Sequence, residues 1–231
     1  MPYLFMDYYY IVLVVPVLIA SLVIQAKLNS TYSKYSRIRN CRNLTGAQAA
    51  QIVLNYYGIY NVRIERVSGR LSDHYDPTQN VIRLSDGVFD NPSIAAVGIA
   101  CHEAGHAAQH ATGYVPIKLR NFILPVCNIG SSLSIPLLLV GLLLSFEPLI
   151  WIGIGFFAFT AVFQLITLPV EFNASSRALK VIESNGILTY EEKSGAAKVL
   201  KMAAMTYVAS LAMSVAQLLR LILRYGGRRS R

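Results

Sequence analysis

Long uncharged apolar runs alternate with polar segments along this chain of 231 residues. Three runs, Leu4–Ala26, Ile123–Phe146 and Pro148–Val170, each supply about the 20 mostly apolar residues needed to cross the hydrocarbon core of a bilayer. A cleaved signal peptide explains the first run poorly, because no Lys or Arg precedes it and the run is long. The pattern therefore predicts an integral membrane protein that sits in a lipid bilayer.

A fourth apolar stretch, Ala203–Leu223, lies in a long helix that a capping box at TYEE opens and that is predicted to reach Tyr225. Its polar residues recur every three or four positions and form one stripe: Thr206, Ser210, Ser214, Gln217, Arg220 and Arg224. A spanning helix that packs small polar groups against its neighbours shows such a stripe, and so does an amphipathic helix at the membrane surface. We favour the spanning helix, although it places the basic tail outside.

The segment between the first two runs has the periodicity of a small α+β region. The stretch LTGAQAAQIVLNYYG has helical spacing and opens with a Thr-x-x-Gln capping box. NVRIERV alternates polar and apolar residues and predicts a strand. The Asp76-Pro77 pair predicts the turn of a hairpin whose second strand is Val81–Leu84.

The charge distribution indicates a membrane topology. Hydrophobic residues make up 54% of the chain and charged residues 14%, with a net charge of +9. Lysines and arginines follow the first run, precede the second and follow the third, whereas the SFEP link between the second and third has none. This positive-inside pattern places residues 27–122 in the cytoplasm, with a tight outer turn near Glu147 and a return at Glu171. It predicts a multi-pass protein of the inner (cytoplasmic) membrane and no nucleic-acid partner.

Four segments follow from this topology. They are an N-terminal transmembrane anchor at 1–26, a cytoplasmic part at 27–122, a transmembrane hairpin at 123–170 and two further helices at 171–231. The three cysteines, at positions 41, 101 and 127, form no Cys-x-x-Cys pair, so neither a disulfide framework nor a zinc ribbon is predicted. Reduced thiols agree with a cytoplasmic location.

The stretch CHEAGHAAQH lies in a helix predicted to run from Asn91, with a proline in its first turn, to Gly113. On a helix, His102 and His106 project from one face about one turn apart, so their ring nitrogens can reach a single zinc ion. Glu103 is rotated off that pair and can serve as the general base toward a water. Two alternatives stay open, a solvated helix face and a structural metal site without catalysis.

His110 continues the same helix face but does not suit the same ion. It lies eight residues from His102, which is about 12 Å along a helix axis. The longer three-histidine motif also fails, because it places a Gly after the second His and the third His six residues on. We expect His110 beside the site or on the surface.

A third ligand must come from elsewhere, and the predicted position of Glu171 suits it. Glu147 lies on the outer side. Other acids occupy strand, turn or cap positions: Glu65, Asp73, Asp76, Asp86, Asp90, Glu191 and Glu192. Glu171 stands where the third run returns to the cytoplasm, and the neighbouring Ala174 and Ser175 are small enough to permit close approach to the Ala- and Gly-rich motif helix. The alternative is a Glu that merely favours the N-terminus of a helix beginning there.

Three runs in this order, DHYDPTQNVIRLS, ACHEAGHAAQHATGY and LPVEFNASSRAL, resemble the bacterial YugP-like neutral zinc metallopeptidases. These are integral membrane gluzincins related in pattern to HtpX-type and CAAX prenyl proteases, and the resemblance covers nearly the whole chain. It implies one Zn²⁺ per chain, bound by His102, His106 and Glu171, with Glu103 catalytic.

One position departs from the wider group. Its ExxAD pattern has an Asp where this chain has Ser175. The carboxylate that would orient a ligand histidine is then missing or replaced from elsewhere, and Asn173 is the candidate for that replacement.

The predicted hairpin suggests how a peptide substrate is held. Zinc peptidases commonly align the peptide along an exposed edge strand, and the candidate strand comprises Val81, Ile82, Arg83 and Leu84. On its partner strand, His74 and Tyr75 could donate hydrogen bonds to the oxyanion of a tetrahedral intermediate. The alternative for His74 is a ring satisfied by the nearby turn.

These expectations describe a mainly α membrane protein with three to four transmembrane helices and a small α+β zincin-like catalytic core. The expected function is zinc-dependent hydrolysis of peptide bonds in membrane or membrane-proximal polypeptides, from an active site on the cytoplasmic side. Two alternatives stay open: a non-catalytic zinc-binding membrane adaptor, and a protease of lipidated or prenylated substrates.

Overall fold

The computed structural model describes residues 7–69 and 71–226. The elements in that part are the helices α1 (Val15–Tyr35), α2 (Gly46–Tyr56), α3 (Ile94–Ala111), α4 (Val115–Leu143), α5 (Glu147–Ser184) and α6 (Tyr190–Gly226), and the strands β1 (Arg63–Val67), β2 (His74–Asp76) and β3 (Val81–Ser85). A π-helical turn, Tyr10–Val14, leads directly into α1. Residues 4–6 of the first predicted apolar run and residues 227–231 of the basic tail lie outside the described residues.

Within residues 7–69 and 71–226, four helices are long and apolar enough to cross a membrane: Tyr10–Tyr35, Val115–Leu143, Glu147–Ser184 and Tyr190–Gly226. They expose large apolar side chains such as Leu22, Phe122 and Leu165, as lipid-facing helices do. The predicted fold class, a mainly α membrane protein with three to four transmembrane helices and a small α+β core, is confirmed.

Helix α5 differs from the prediction in where it begins. The helix predicted to open at Glu171 is the second half of one continuous helix, which starts at Glu147 and contains Pro169. The third apolar run and the segment EFNASSRAL therefore form a single element. Because Glu171 lies within this helix, it does not act as a residue of a helix N-terminus, and that alternative is wrong.

The chain divides into two compact units. The first, here called the apolar unit, comprises Met1–Gln25, Leu119–Leu168 and Thr206–Arg231, and the second, here called the site unit, comprises Ala26–Lys118 and Pro169–Met205. The division falls within all four candidate membrane helices, α1, α4, α5 and α6.

An ion cluster ties two ends of the apolar unit together. Arg220 donates to the Oδ2 atom of Asp7 from Nε at 3.1 Å and from Nη2 at 2.9 Å, and Arg224 donates to the same oxygen. The Arg220 guanidinium also lies over the ring of Tyr10, 4.9 Å from its centroid. Ion pairs thus connect the start of the first membrane helix with the end of α6.

The site unit contains a three-stranded sheet in the order β1-β3-β2, with β1 parallel and β2 antiparallel to β3. The predicted hairpin is confirmed, but the prediction that Val81–Leu84 is an exposed edge strand is wrong. β3 is the central strand, and Val81, Ile82 and Leu84 are fully buried. A strand that is apolar on both faces packs inside a sheet, and only β1 and β2 are left at the edges.

The helix that carries the motif, α3, begins slightly later than predicted. Its N-cap is Ser93, whose side chain accepts a hydrogen bond from the backbone N–H of Ala96 at 3.2 Å, so the predicted start at Asn91 is early. The Pro92 carbonyl instead accepts a hydrogen bond from the Asn40 backbone N–H at 2.9 Å. The turn after α3 contains Gly113 at a φ of +66°, which favours glycine.

Both predicted capping boxes form. Thr45 and Gln48 exchange hydrogen bonds at the start of α2, and Thr189 and Glu192 do so ahead of α6. Helix α2 contributes fully buried aliphatic side chains to the core that surrounds α3. The motif helix is therefore held inside a packed core and is not a solvated helix.

Candidate metal centre

The backbones of α3 and α5 come into direct contact beside the motif. A Cβ atom on Gly105 would lie 2.6 Å from the carbonyl oxygen of Ala174, so only glycine fits there. Ala104 and Ala108 on α3 and Ala174 on α5 are fully buried at this contact. The small residues on both helices thus bring Glu171, one turn before Ala174, close to the histidines of α3.

Three side chains converge on one point in this contact. The Nε2 atoms of His102 and His106 lie 3.3 and 3.6 Å from the same oxygen, Oε2 of Glu171. The two imidazole rings are 4.7 Å apart and nearly perpendicular. The histidine side chains retain 15% and 11% of their exposure and that of Glu171 retains 4%, so the point of convergence is nearly dry.

The donor set fits a zinc ion. In a tetrahedral site with ligand bonds of 2.0–2.1 Å, neighbouring donor atoms are about 3.3 Å apart, which is close to the distance of each imidazole nitrogen from the Glu171 oxygen. Two imidazoles and one carboxylate are also the ligand types of catalytic zinc sites, which leave the fourth position open. In the described part of the chain, one group of side chains offers three possible metal-binding atoms within 4.8 Å of one another: His102, His106 and Glu171.

The side chain of Gln109 determines which nitrogen of His106 faces this point. Its amide Nε2 donates to the Val170 carbonyl at 2.8 Å and to Asn173 Oδ1 at 3.0 Å. Since both partners are acceptors, the amide oxygen faces His106 Nδ1, 3.0 Å away, and that nitrogen must carry the proton. The Nε2 atom of His106 is thereby left with a free lone pair, which is the form that binds a metal.

His102 has a different partner, the hydroxyl oxygen of Ser175, which lies 3.1 Å from Nδ1. The residue that stands in place of the wider group's Asp therefore contacts His102 directly. Asn173, the predicted replacement, does not take this part; it accepts hydrogen bonds from Gln109 and from Arg177 Nε at 2.8 Å. Asn173 therefore acts on His106 only indirectly, because it holds the amide of Gln109, which in turn contacts the His106 ring.

Glu103 contributes charge to the centre. The residue is buried, at 9% exposure, and follows His102 directly in the chain. Burial of the His106 ring disfavours its charged form, but the hydrogen bond to Glu171 and the negative charges of Glu103 and Glu171 outweigh burial and raise the pKa of His106. A proton and a metal cation therefore compete for the same nitrogen.

The remaining predicted residues lie outside the group of donor atoms. The ring of His110 packs edge-on against Tyr75 on β2, with centroids 5.5 Å apart. Nδ1 of His74 lies 2.7 Å from the Ser72 carbonyl oxygen, as the turn-satisfied alternative expects, and Arg83 on β3 pairs with Asp76 at 3.2 Å. The oxyanion role of His74 and Tyr75 stays a prediction.

Two contributors were missed in the sequence, Gln109 and the hydroxyl of Ser175. Gln109 is fully buried and lies three residues after His106, a spacing at which side chains meet on a helix. That spacing was the available signal, but a glutamine in a polar-looking stretch, AAQHAT, gives no indication that its amide is buried. Only the contact with α5 reveals it.

Comparison with known proteins agrees with this centre. The model of the family described as "Putative neutral zinc metallopeptidase" matches residues 10–226. The chain is 46% identical over 199 residues, 86% of its length, to the protein named "Putative membrane protease YugP" from Bacillus subtilis (strain 168), and the match covers 88% of that protein. No solved structure is significantly similar to this chain.

The matched region contains the complete HEAGH motif, Glu171 and all four candidate membrane helices. The resemblance noted in the sequence is thereby confirmed. This chain is a member of the neutral zinc metallopeptidase family.

Proposed function

We propose that this protein is a zinc-dependent endopeptidase that hydrolyses peptide bonds in membrane or membrane-proximal polypeptides. The observation that carries the proposal is the convergence of two imidazole nitrogens on one oxygen of Glu171, at 3.3 and 3.6 Å. The buried Glu103 directly follows one of these histidines, His102, in the chain. His102, His106 and Glu171 would hold one zinc ion per chain.

Each side chain has a defined part in this chemistry. When bound, zinc supplies Lewis acidity and makes a water acidic enough to lose its proton near neutral pH. Glu103 would accept a proton from the attacking water as general base and return it to the leaving amine as general acid. Gln109 and Ser175 hold the two imidazoles in orientation, and burial of Glu171 keeps bulk water from competing for its oxygen.

The apolar helices support the choice of substrate. Glu171 directly follows an uncharged apolar run within α5, so one helix carries both a candidate span and a ligand. A peptidase built in this way meets chains that are in the membrane or beside it. We propose proteolytic quality control of such chains as the biological setting.

We propose that the protein is a multi-pass protein of the cytoplasmic membrane with its site on the cytoplasmic side. The distribution of Lys and Arg supports this orientation. The contact of Asp7 with Arg220 supports a spanning α6, because it brings the end of α6 to the start of the first membrane helix. With four spans, both termini lie outside, and the segments 1–26, 27–122, 123–170 and 171–231 follow as anchor, cytoplasmic part, hairpin and final helix pair.

A cysteine-labelling experiment tests this topology. Cys41 is exposed and Cys101 and Cys127 are buried, and burial raises the pKa of the Cys101 thiol. A membrane-impermeant maleimide should therefore label Cys41 of the wild-type protein only after cells are permeabilised. In a Cys41→Ser/Arg231→Cys variant it should label intact cells; labelling only after permeabilisation would contradict the spanning α6.

The function itself is tested on the purified full chain in detergent. We expect about one zinc per chain by elemental analysis and hydrolysis of an unfolded protein such as casein. Glu103→Gln should keep the zinc and lose activity by about 10²–10⁴-fold, the usual contribution of a general base. A fully active Glu103→Gln variant would show that the proposed mechanism is wrong.

The alternatives give different results in the same experiment. A zinc-binding adaptor would retain zinc and show no hydrolysis in the wild type as well as in Glu103→Gln. A protease of lipidated substrates would cleave a prenylated peptide and leave the matched unmodified peptide intact. Glu183→Gln, an exposed Glu on the same helix as Glu171, serves as the control that should change neither zinc content nor rate.

A further inference from the structure

A pocket of about 420 Å³ opens in the site unit between the end of α1 and the first half of α6. It is lined by three lysines, two hydroxyl-bearing residues, an aromatic ring and a methionine, including Lys34, Lys198, Lys201, Ser30, Thr31 and Tyr35. Its lining contains no carboxylate. The polar groups that the pocket presents are thus all positive or neutral, and they stand beside the apolar surface of Met202 and the Tyr35 ring.

The three ammonium groups have no anionic partner among residues 7–69 and 71–226. Lys193, further toward the start of α6, is by contrast paired with Glu183 at 2.7 Å. Lys34 has only an aromatic contact, with Nζ 5.4 Å from the centroid of the Tyr35 ring. Like charges around one pocket repel each other, and an anion bound between them removes that cost.

The pocket lies where two candidate membrane helices meet charged sequence. In α6, Lys201 is the last charged residue before the uncharged segment 202–219. In α1, the apolar run ends at Ala26, and Ser30 and Lys34 follow it by about 6 and 12 Å along the helix. The headgroup layer of a bilayer has a thickness of this order, and a lysine side chain extends along such a surface with its ammonium in the polar layer.

A close helix contact holds the two sides of the pocket together. A Cβ atom on Gly195 would lie 2.6 Å from Cε1 of Tyr35, so the tyrosine ring packs directly on the backbone of α6. Lys34 is next to this ring in the chain, and Lys198 lies one helical turn after Gly195. The lysines are therefore presented by a packed contact and not by loose chain ends.

We propose that this pocket binds the phosphate headgroup of an anionic phospholipid, taken from the leaflet on the side of residues 27–118. Lysines clustered at the cytoplasmic ends of membrane helices recognise such headgroups, and hydroxyl groups add donors to the phosphate oxygens. This binding site is independent of peptidase activity.

Native mass spectrometry of the detergent-solubilised full chain tests the proposal. The protein is titrated with dioleoyl-phosphatidylglycerol and, separately, with dioleoyl-phosphatidylcholine. We expect the wild type to bind the anionic lipid at least about tenfold more tightly. The Lys34→Gln/Lys198→Gln/Lys201→Gln variant should lose that preference, and Lys198→Gln alone should lower it about fivefold.

A second triple variant removes the same charge from exposed positions outside this pocket: Lys27→Gln, Arg37→Gln and Lys180→Gln. It should bind phosphatidylglycerol within twofold of the wild type. Equal losses in the two triple variants would overturn the proposal, because general charge would then explain the binding. Displacement of the lipid by millimolar inorganic phosphate would also overturn it, because the site would then take a soluble anion.

A melting curve for each variant separates lost binding from lost folding. Should the pocket triple variant be unstable, the Lys34→Arg/Lys198→Arg/Lys201→Arg variant and Lys198→Gln decide. The arginine variant should keep the preference for phosphatidylglycerol, and Lys198→Gln should weaken it. An unchanged preference in Lys198→Gln would overturn the proposal.

Discussion

Each of the two units places a carboxylate among ionisable side chains, partly buried for Asp7 and buried for Glu171, and the partners of the two carboxylates differ. In the apolar unit, Asp7 receives hydrogen bonds from Arg220 and Arg224, so donors meet an acceptor. In the site unit, Glu171 faces the Nε2 atoms of His102 and His106. When Nδ1 carries the proton of each ring, all three groups there present lone pairs.

The difference separates a structural cluster from a binding centre. The Asp7 cluster is satisfied by the protein's own charges and needs no ligand. Two imidazole lone pairs held within 3.6 Å of one carboxylate oxygen repel it unless a cation or a proton lies between them. In the site unit the packed contact of α3 with α5 holds these groups together despite the repulsion, and the metal ion that we propose would remove it.

Removal of Glu171 gives the largest expected effect. The Glu171→Ala variant should lose zinc affinity by more than about 100-fold, beyond the loss caused by removing a residue that only orients a ligand. Competition with a zinc-chelating dye measures this affinity. Glu183→Ala on the same helix is the control and should bind zinc as the wild type does; full zinc occupancy of Glu171→Ala would show that the ligand assignment is wrong.

Removal of Asp7 should affect the other unit. In Asp7→Asn two arginines lose their anion, and we expect about 3 kcal/mol less stability, measured by thermal or denaturant unfolding in detergent. Zinc affinity should stay unchanged. The Asp7→Asn/Arg220→Gln/Arg224→Gln variant should regain most of the loss, since it leaves no unpaired charge; no recovery would contradict the ion-pair explanation.

The residues that orient the histidines should have intermediate effects. Gln109→Leu removes the acceptor that keeps the proton on Nδ1 of His106, and zinc affinity should fall about 10–100-fold. Ser175→Ala should cost about tenfold or less, because a hydroxyl is the weaker partner of His102. Ser175→Asp should bind zinc more tightly than the wild type. Equal affinities in all three variants would contradict these roles.

Acidification should change the stability of the zinc-free protein and its affinity for zinc gradually. The pKa of His106 is raised above its usual 6.5, so protonation stabilises the zinc-free protein fully below about pH 6.5, and this stability is lost as pH rises through the raised pKa. Zinc affinity changes in the opposite direction, by up to about tenfold per pH unit for each proton displaced. The rise in melting temperature caused by zinc should therefore be larger at pH 8 than at pH 6. In Glu171→Ala this pH dependence should be weaker.

The reliability of the sequence predictions depended on the range of the interactions involved. Helix periodicity, both capping boxes and the β2–β3 hairpin rest on residues a few positions apart, and these predictions are confirmed. The predicted edge strand was wrong because β1, which is distant in sequence, joins β3 on its other side. The predicted start of a helix at Glu171 was wrong because the apolar run and the polar segment that follows it share one helical path.

The site shows the same division. The HEAGH spacing on a helix, and the choice of Glu171 as the acid nearest to it, followed from local geometry and topology, and their roles as ligands await the zinc measurements. The parts played by Gln109 and Ser175 could not be read in this way, because both depend on which atoms of α5 face α3. For the same reason the prediction had Asn173 contact a histidine directly, whereas it contacts Gln109.

The amino-acid sequence alone determined the membrane helices, the family and the half-site on α3, because hydropathy, charge and helical spacing are properties of neighbouring residues. Only the tertiary structure decided that β3 is internal and that Glu171 reaches both imidazoles. It alone decided which ring nitrogen of His106 faces Glu171. These features depend on a contact in which Gly105 leaves room for the backbone of α5, and such a distance between remote segments is a property of the packed chain.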